Sequence, residues 1–206
     1  MKKILIDAKK QLVKIASQIY QNGLTPGKSG NISIKIPCNI DYKIVISPSG
    51  VSLKNINLEN VIVIDNEGNK LEGYGKPSSE MIMHLEIYKK RKEVSGIVHT
   101  HSPYATGFSF SGEKIPHLEG FGEIIKPYLN EVDYAVPGSM ELAKMASNGL
   151  EKEDMLILKN HGVLAIGTNI DDAVLLAEFV ENSAKTSFIT CILIREPILT
   201  HLKHSR

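Results

Sequence analysis

Three runs rich in β-branched residues, Ile32-Ser33-Ile34-Lys35-Ile36, Tyr42 to Ile46 and Val61 to Asp65, follow one another with Pro, Asn and Gly clusters between them. Short runs punctuated by turn-forming residues predict successive antiparallel strands. Asn66-Glu67-Gly68-Asn69, between Ile64 and Leu71, adds a tight hairpin turn. Helices bracket this block. Residues 8–21 carry Leu12, Ile15, Ala16 and Ile19 at helical spacing and stop at Asn22-Gly23. On the far side, Pro77-Ser78-Ser79-Glu80 is expected to open a helix, the serines capping its free N–H groups and Glu80 lying in its first turn.

Beyond that point strands and helices alternate. Val94 to His101 predicts a strand leading directly into a helix begun by Pro103, where a missing N–H does no harm. Ser139 is placed to cap a helix ending near Asn148-Gly149, and Met155 to Lys159 and Gly162 to Ile166 read as further strands. Thr168-Asn169-Ile170-Asp171 resembles a capping box for a long helix through Ala184. No repeat, low-complexity tract or linker interrupts residues 1–206, and with 42% hydrophobic and 23% charged residues one sizeable core is expected. The predicted architecture is one α/β domain, a mixed and mostly antiparallel sheet with helices on both faces.

Charge narrows the function classes. Lys and Arg number 24 against 23 Asp and Glu, so a net charge of +1 provides no long-range field for nucleic acid or an anionic membrane. Any anionic ligand must be gripped by local groups. Phe188 to Ile194 falls far short of the roughly 20 apolar residues of a membrane span. Asp7, Lys9 and Lys10 break the apolar run that a signal peptide needs after Met1-Lys2-Lys3, which makes a cytoplasmic protein the expectation. Cys38 and Cys191, far apart and outside any CxxC, read as reduced thiols.

Side chains alternate along a strand, so His99-Thr100-His101 points two imidazoles to one side. Taken alone, such a pair is as often two polar residues at a strand end. His161 ends an apolar run beside Gly162 and is the third candidate; three histidines leave open the position that distinguishes a catalytic zinc from a structural one. A carboxylate near such a cation can complete its shell or take a proton, and Glu80 suits both uses. Gly27-Lys28-Ser29-Gly30-Asn31 and Ser47-Pro48-Ser49-Gly50 are small, turn-forming segments that expose backbone N–H groups, and Ser78-Ser79 place hydroxyls at a helix start. Together they predict a site for a phosphate monoester, with Lys28 adding charge, although the spacing is not that of a Walker motif.

Gly30-Asn31-Ile32-Ser33, Ser47-Pro48-Ser49-Gly50, Lys76-Pro77-Ser78-Ser79-Glu80, His99-Thr100-His101-Ser102 and Asn160-His161-Gly162 occur in the order and at about the spacing of the class II aldolase/adducin family. The chain resembles that family from residue 8 to about residue 188, and within it most closely the L-fuculose-phosphate aldolase branch. The resemblance implies a three-layer α/β/α sandwich, a homotetramer with sites between subunits, and one zinc ion per subunit held by His99, His101 and His161. It implies Glu80 as catalytic acid/base and metal ligand, with Gly30, Asn31, Ser49, Gly50, Ser78 and Ser79 around the phosphate. The implied activity is cleavage of a ketose 1-phosphate, fuculose 1-phosphate foremost, to dihydroxyacetone phosphate and an aldehyde such as lactaldehyde. Within the family the alternatives are pentulose-5-phosphate 4-epimerase and methylthioribulose-1-phosphate dehydratase, and from another class a non-catalytic adducin-like interaction module. Two features differ from the aldolase branch: Ile115-Pro116 is followed by His117, Leu118, Glu119 and Phe121, and Leu199 to Arg206 contains no Tyr, so the tyrosines that the branch brings from a neighbouring subunit are missing.

Other conspicuous residues have plainer readings. His84 and Tyr88 follow Glu80 at helical spacing and are expected to pack a helix face. His117, Glu119 and Glu123 fall in a loop, His201 and His204 in a basic tail, and Lys89-Lys90-Arg91-Lys92 at a solvated helix end.

Overall fold

A computed structural model describes residues 2–38, 41–118 and 126–195. Its centre is a sheet of eight strands: β1 (Asn31–Cys38), β2 (Asp41–Ile46), β3 (Ile62–Asp65), β4 (Lys70–Glu72), β5 (Gly96–Thr100), β6 (Glu131–Val132), β7 (Met155–Leu158) and β8 (Gly162–Gly167). They lie in the order β4-β3-β2-β1-β5-β8-β7-β6. Neighbours are antiparallel everywhere except between β6 and β7 at one edge. The antiparallel arrangement thus continues past the first half of the chain, because β8 folds back between β5 and β7.

Among the described residues five α-helices cover the sheet: α1 (Lys2–Gln21), α2 (Met81–Lys90), α3 (Pro103–Ser111), α4 (Met140–Gly149) and α5 (Ile170–Arg195). Strand alternation divides the core between the two faces. Ile32, Ile34, Ile36, Val45, Val63, Val98 and Ala165 meet α1 and the start of α5, while Ile44, Ile46, Ile62, Ile64, Ile97, Leu164 and Ile166 meet α2 and α4. A sheet buried on both faces between helices is the three-layer sandwich expected. Among the described residues no helix is long and apolar enough to cross a membrane.

The boundaries differ from expectation in instructive places. α1 begins at Lys2, six residues before the apolar spacing becomes regular, with Leu5 buried as its first core residue. α2 begins at Met81, so Glu80 is its N-cap and not part of its first turn, and no side chain caps it. The serines are otherwise engaged: the Ser78 backbone N–H donates to the Ser47 carbonyl at 3.1 Å, and Ser78 Oγ accepts from the Glu80 N–H at 3.2 Å. At α5 the reciprocal cap lies one residue later than expected, as the Asp172 N–H donates to Asn169 Oδ1 at 2.9 Å and Asn169 Nδ2 donates to Asp172 Oδ2 at 2.6 Å. α5 also runs well past Ala184. At α4 the expected cap is present, the Leu142 N–H donating to Ser139 Oγ at 3.1 Å.

Candidate active site

The central strands bring the ends of β1, β5 and β8 together. Asn31 opens β1 opposite His99 of β5, and His99 in turn faces Leu164 of β8. His101 lies just past the end of β5, and His161 just before β8. Asn160 supports that turn with a φ of 55°, a left-handed conformation that Asn tolerates better than most residues. Gly162 follows because a Cβ there would come within 2.3 Å of the Thr100 carbonyl and 3.3 Å of His99 Cε1. The chain can therefore pass close enough to β5 for His161 to join the other two.

The three imidazoles converge. Their centroids are 4.8 to 4.9 Å apart in edge-to-face arrangement, and one ring nitrogen of each lies within 4.8 Å of those of the others. His99 is fully buried, His161 is buried and His101 half-buried. His99 Nδ1 donates to the Val163 carbonyl at 2.9 Å, which fixes its tautomer and turns the Nε2 lone pair inward. Glu80 sits at the same point, Oε2 3.2 Å from His99 Nε2 and Oε1 3.4 Å from His161 Nε2.

Burial works to raise the Glu80 pKa, but the charge and hydrogen bond of His99, then His161 and the Asn31 amide, hold its carboxyl well below the usual carboxylate range. Burial pushes His101 down to about 3, helped by His99 and His161, and His161 down to about 4, helped by His99, with the Glu80 charge opposing both. His99 moves the other way: burial lowers it, and the Glu80 carboxylate more than compensates. Neutral His101 and His161 beside an ionised carboxylate are in the protonation states that bind a divalent cation, and a cation at the cluster would take the place of the proton that Glu80 favours on His99. Glu80 Oε1 and His161 Nδ1 are buried without a hydrogen-bond partner, and His99 Nε2 faces His101 Nε2 at 3.0 Å. A cation accepting the lone pairs of His99 Nε2, His101 Nε2 and Glu80 Oε1 would satisfy those atoms, so the residues present fit a metal site.

Three segments are stitched together beside the cluster. The Ser47 N–H donates to the Ile32 carbonyl at 3.0 Å, the Ile32 N–H donates to Ser47 Oγ at 3.1 Å, and Pro48 bridges Pro77. The Ser49 N–H donates to the Lys76 carbonyl at 2.9 Å. Gly30 has φ 75°, and a Cβ there would lie 2.5 Å from Thr25 Cγ2 and 2.7 Å from the His99 carbonyl, so its loop lies directly on β5. Ser49, Gly50 and Ser79 are exposed, while Asn31 and Ser78 are buried. Lys28 is exposed on the first of these loops.

Sequence reasoning missed the row beneath Glu80. Asn31 Nδ2 donates to Glu80 Oε2 at 2.8 Å, His84 Nε2 lies 2.6 Å from Asn31 Oδ1, and Ser33 Oγ lies 2.7 Å from His84 Nδ1 and 2.8 Å from the Tyr88 hydroxyl. All five residues are buried. His84 and Tyr88 thus do more than pack a helix face. The signal was present, since Ser33 and Lys35 interrupt a strand whose two faces are both covered, and Glu80, His84 and Tyr88 recur every fourth residue.

His117 lies away from this row, its ring 5.9 Å from that of Phe179. Glu119, Phe121, Glu123, His201, His204 and the tail from Leu199 lie outside the described residues.

Comparison with known proteins gives the same assignment from independent grounds. Residues 10–188 match the family described as Class II Aldolase and Adducin N-terminal domain. An L-fuculose phosphate aldolase of Methanococcus maripaludis is 40% identical over 177 residues, covering 86% of this chain and 93% of that protein. A 3-oxo-tetronate 4-phosphate decarboxylase of Haemophilus influenzae is 34% identical over 189 residues, covering 87% and 86%. The solved structure of an L-fuculose 1-phosphate aldolase superposes with a TM-score of 0.80 at 31% identity, covering 93% of this chain and 89% of that one. The chain belongs to the class II aldolase and adducin family, on its enzymatic, lyase side.

Proposed function

We propose that the protein is a zinc-dependent aldolase that cleaves a ketose 1-phosphate, L-fuculose 1-phosphate foremost, to dihydroxyacetone phosphate and an aldehyde such as lactaldehyde. The observation that carries this reading is a buried, ionised Glu80 whose Oε1 has no hydrogen-bond partner, set against three converging histidines. His99, His101 and His161 would hold the ion, with Glu80 beside them; zinc suits three imidazoles with an open position. When bound, it supplies Lewis-acid stabilisation of the negative charge that develops on the ketose oxygens.

This chain's own groups do the rest. The loops at Gly30-Asn31, Ser49-Gly50 and Ser78-Ser79 offer hydroxyl donors, and N–H donors other than those Ser49 and Ser78 give to the Lys76 and Ser47 carbonyls, that would bind the phosphate, and Asn31 keeps one amide N–H beside the one it gives Glu80. As the C3–C4 bond breaks, the C4 hydroxyl gives up its proton to the ionised Glu80, the bond's electron pair stays on C3 as the enediolate, and Glu80 then delivers the proton that turns it into dihydroxyacetone phosphate. In the condensation direction Glu80 removes that proton. The decarboxylase relative makes a second reading concrete, because loss of carbon dioxide from a 3-oxo-tetronate 4-phosphate leaves the same enediolate. Both reactions require the same base and phosphate grip, so product analysis separates them.

We also propose a homotetramer. Phe188, Ile189, Ile192 and Leu193 leave between 44% and 47% of their surface exposed along α5, an apolar row suited to burial between subunits. Sedimentation as a monomer would count against it.

The test is exchange of the dihydroxyacetone phosphate C–H proton with solvent, together with cleavage of a panel of phosphorylated ketoses and keto acids with and without chelator. Chelator should abolish both reactions, and Glu80→Gln should lower kcat by roughly 10²–10⁴-fold while zinc remains bound, the usual range for general acid–base catalysis. Wild-type exchange in metal-loaded Glu80→Gln would remove Glu80 from the mechanism.

A further inference from the structure

The row beneath Glu80 has only one self-consistent direction of donation. Glu80 is an ionised acceptor, so the Asn31 amide presents Nδ2 to its Oε2 at 2.8 Å and therefore Oδ1 to His84. An amide oxygen only accepts, hence His84 Nε2, 2.6 Å away, carries the ring proton. His84 Nδ1 is then an acceptor and takes the Ser33 hydroxyl proton at 2.7 Å. Tyr88 remains as donor into Ser33, whose Oγ is 2.8 Å and carbonyl oxygen 3.1 Å from the phenol. Each donor points toward Glu80.

The opposite His84 tautomer would reverse this. A proton on Nδ1 would leave a lone pair on Nε2, so Asn31 would turn its Nδ2 to the ring and its Oδ1 to Glu80 Oε2. Two oxygen acceptors would then face each other at hydrogen-bond distance in a buried site, which is strongly unfavourable. The tautomer of His84 thus decides which atom Glu80 meets. The asymmetry at the carboxylate is visible: Oε2 has the Asn31 donor and Oε1 has none, although both are buried.

Building on the aldolase reading above, we propose that His84 is a positioning residue: its Nε2–H fixes the Asn31 amide, which anchors Glu80 through Oε2 and leaves Oε1 as the oxygen that exchanges the substrate proton. In the condensation direction the C–H bond of dihydroxyacetone phosphate breaks, its electron pair stays on carbon as the enediolate, and the proton forms an O–H bond with Oε1. Cleavage runs the same transfer backwards. His84 itself touches neither substrate nor metal, and it has no proton to lose in the step; burial keeps its ring neutral, with a pKa pushed down to about 3.

The experiment compares His84→Leu, His84→Gln and Ser33→Ala with wild type, all metal-loaded. His84→Leu should slow dihydroxyacetone phosphate proton exchange by about tenfold or more through kcat, the scale seen when an outer partner of a functional ligand is removed. Metal content should not change. His84→Gln, whose side-chain N–H can reach the same carbonyl, should recover most of the rate. Ser33→Ala frees the tautomer without emptying the site and should give a smaller loss of the same kind, so the proposal stays testable if His84→Leu does not fold. Wild-type exchange in His84→Leu, or a His84→Gln variant as slow as His84→Leu, would overturn it. The nitrogen NMR spectrum of the metal-free wild type gives a readout apart from activity, with a protonated Nε2 and bare Nδ1 expected for His84 and the reverse tautomer counting against the proposal. A wild type that exchanges no dihydroxyacetone phosphate proton would instead sink the aldolase reading, and the NMR tautomer would still decide whether His84 orders the row.

Discussion

His99, His101 and His161 converge as side chains from strand ends that the sheet holds rigidly, whereas Ser49, Gly50 and Ser79 stay exposed on loops tied to one another by backbone hydrogen bonds. In the first group everything depends on side-chain identity, since a ring nitrogen is the only ligand each position offers. In the second, the proposed phosphate grip draws on several donors at once, so removing one hydroxyl leaves the others in place. The same small site should therefore respond very differently to mutation on its two sides.

The largest effect should come from the histidine side. A His99→Ala, His101→Ala double variant is expected to lose bound metal and activity together while the phosphate loops keep their shape. Metal analysis by mass spectrometry checks this directly. Full metal content in the double variant would show that the ion is held elsewhere, and the contrast between the two sides would disappear.

A smaller, separable effect belongs to the loops. Ser79 is exposed and its hydroxyl accepts and donates nothing elsewhere among the hydrogen bonds of the site, so Ser79→Ala should raise KM for a phosphorylated substrate by about tenfold, the value of one hydrogen bond to a charged group, with kcat kept. Ser78 looks equivalent in sequence but is not: its Oγ accepts from the Glu80 N–H. Ser78→Ala should lower kcat as well as raise KM. Identical kinetic signatures for the two serine variants would break the distinction between binding loop and catalytic support.

That pair of serines also marks where sequence reading stops. The histidine cluster was legible because strand alternation sends His99 and His101 to one side, and His161 with Gly162 allows close passage of the next strand. The order of strands and helices was legible from β-branched runs and turn residues. The role of Ser78 and the exact start of α2 were not, because Pro48 and Pro77 are brought together by tertiary pairing that no local pattern encodes. β6 has only two residues and no pattern to detect. His84 was read as packing, for an isolated histidine on a helix face usually is. What converts it is Asn31, distant in sequence, entering from β1 with its amide aligned between His84 and Glu80.

The smallest effect tests burial itself, on the row that joins the two sides. Folded His84 is held neutral down to about pH 3 by desolvation, with the Glu80 charge opposing and His99 assisting, against an ordinary value of 6.5. Well above pH 6.5 neither folded nor unfolded chain binds a proton there, and this residue adds no pH dependence. As the pH falls below 6.5, the unfolded chain takes up a proton that the folded chain refuses. The unfolded state then binds more protons, so stability falls with falling pH, and the loss saturates only near pH 3. Between pH 7.5 and 5 one such group removes about 2 kcal/mol by linkage. His84→Gln has no group to titrate, so urea unfolding of the metal-free protein should become less steeply pH-dependent by about that amount, whatever its absolute stability. The other histidines are common to both proteins and cancel in the comparison. Parallel stability curves would mean that His84 is protonated in the folded protein as readily as in the unfolded one, so that Nδ1 carries a proton and cannot accept from Ser33, and the single direction of donation along the row would be lost although Nε2–H still donates to Asn31 Oδ1.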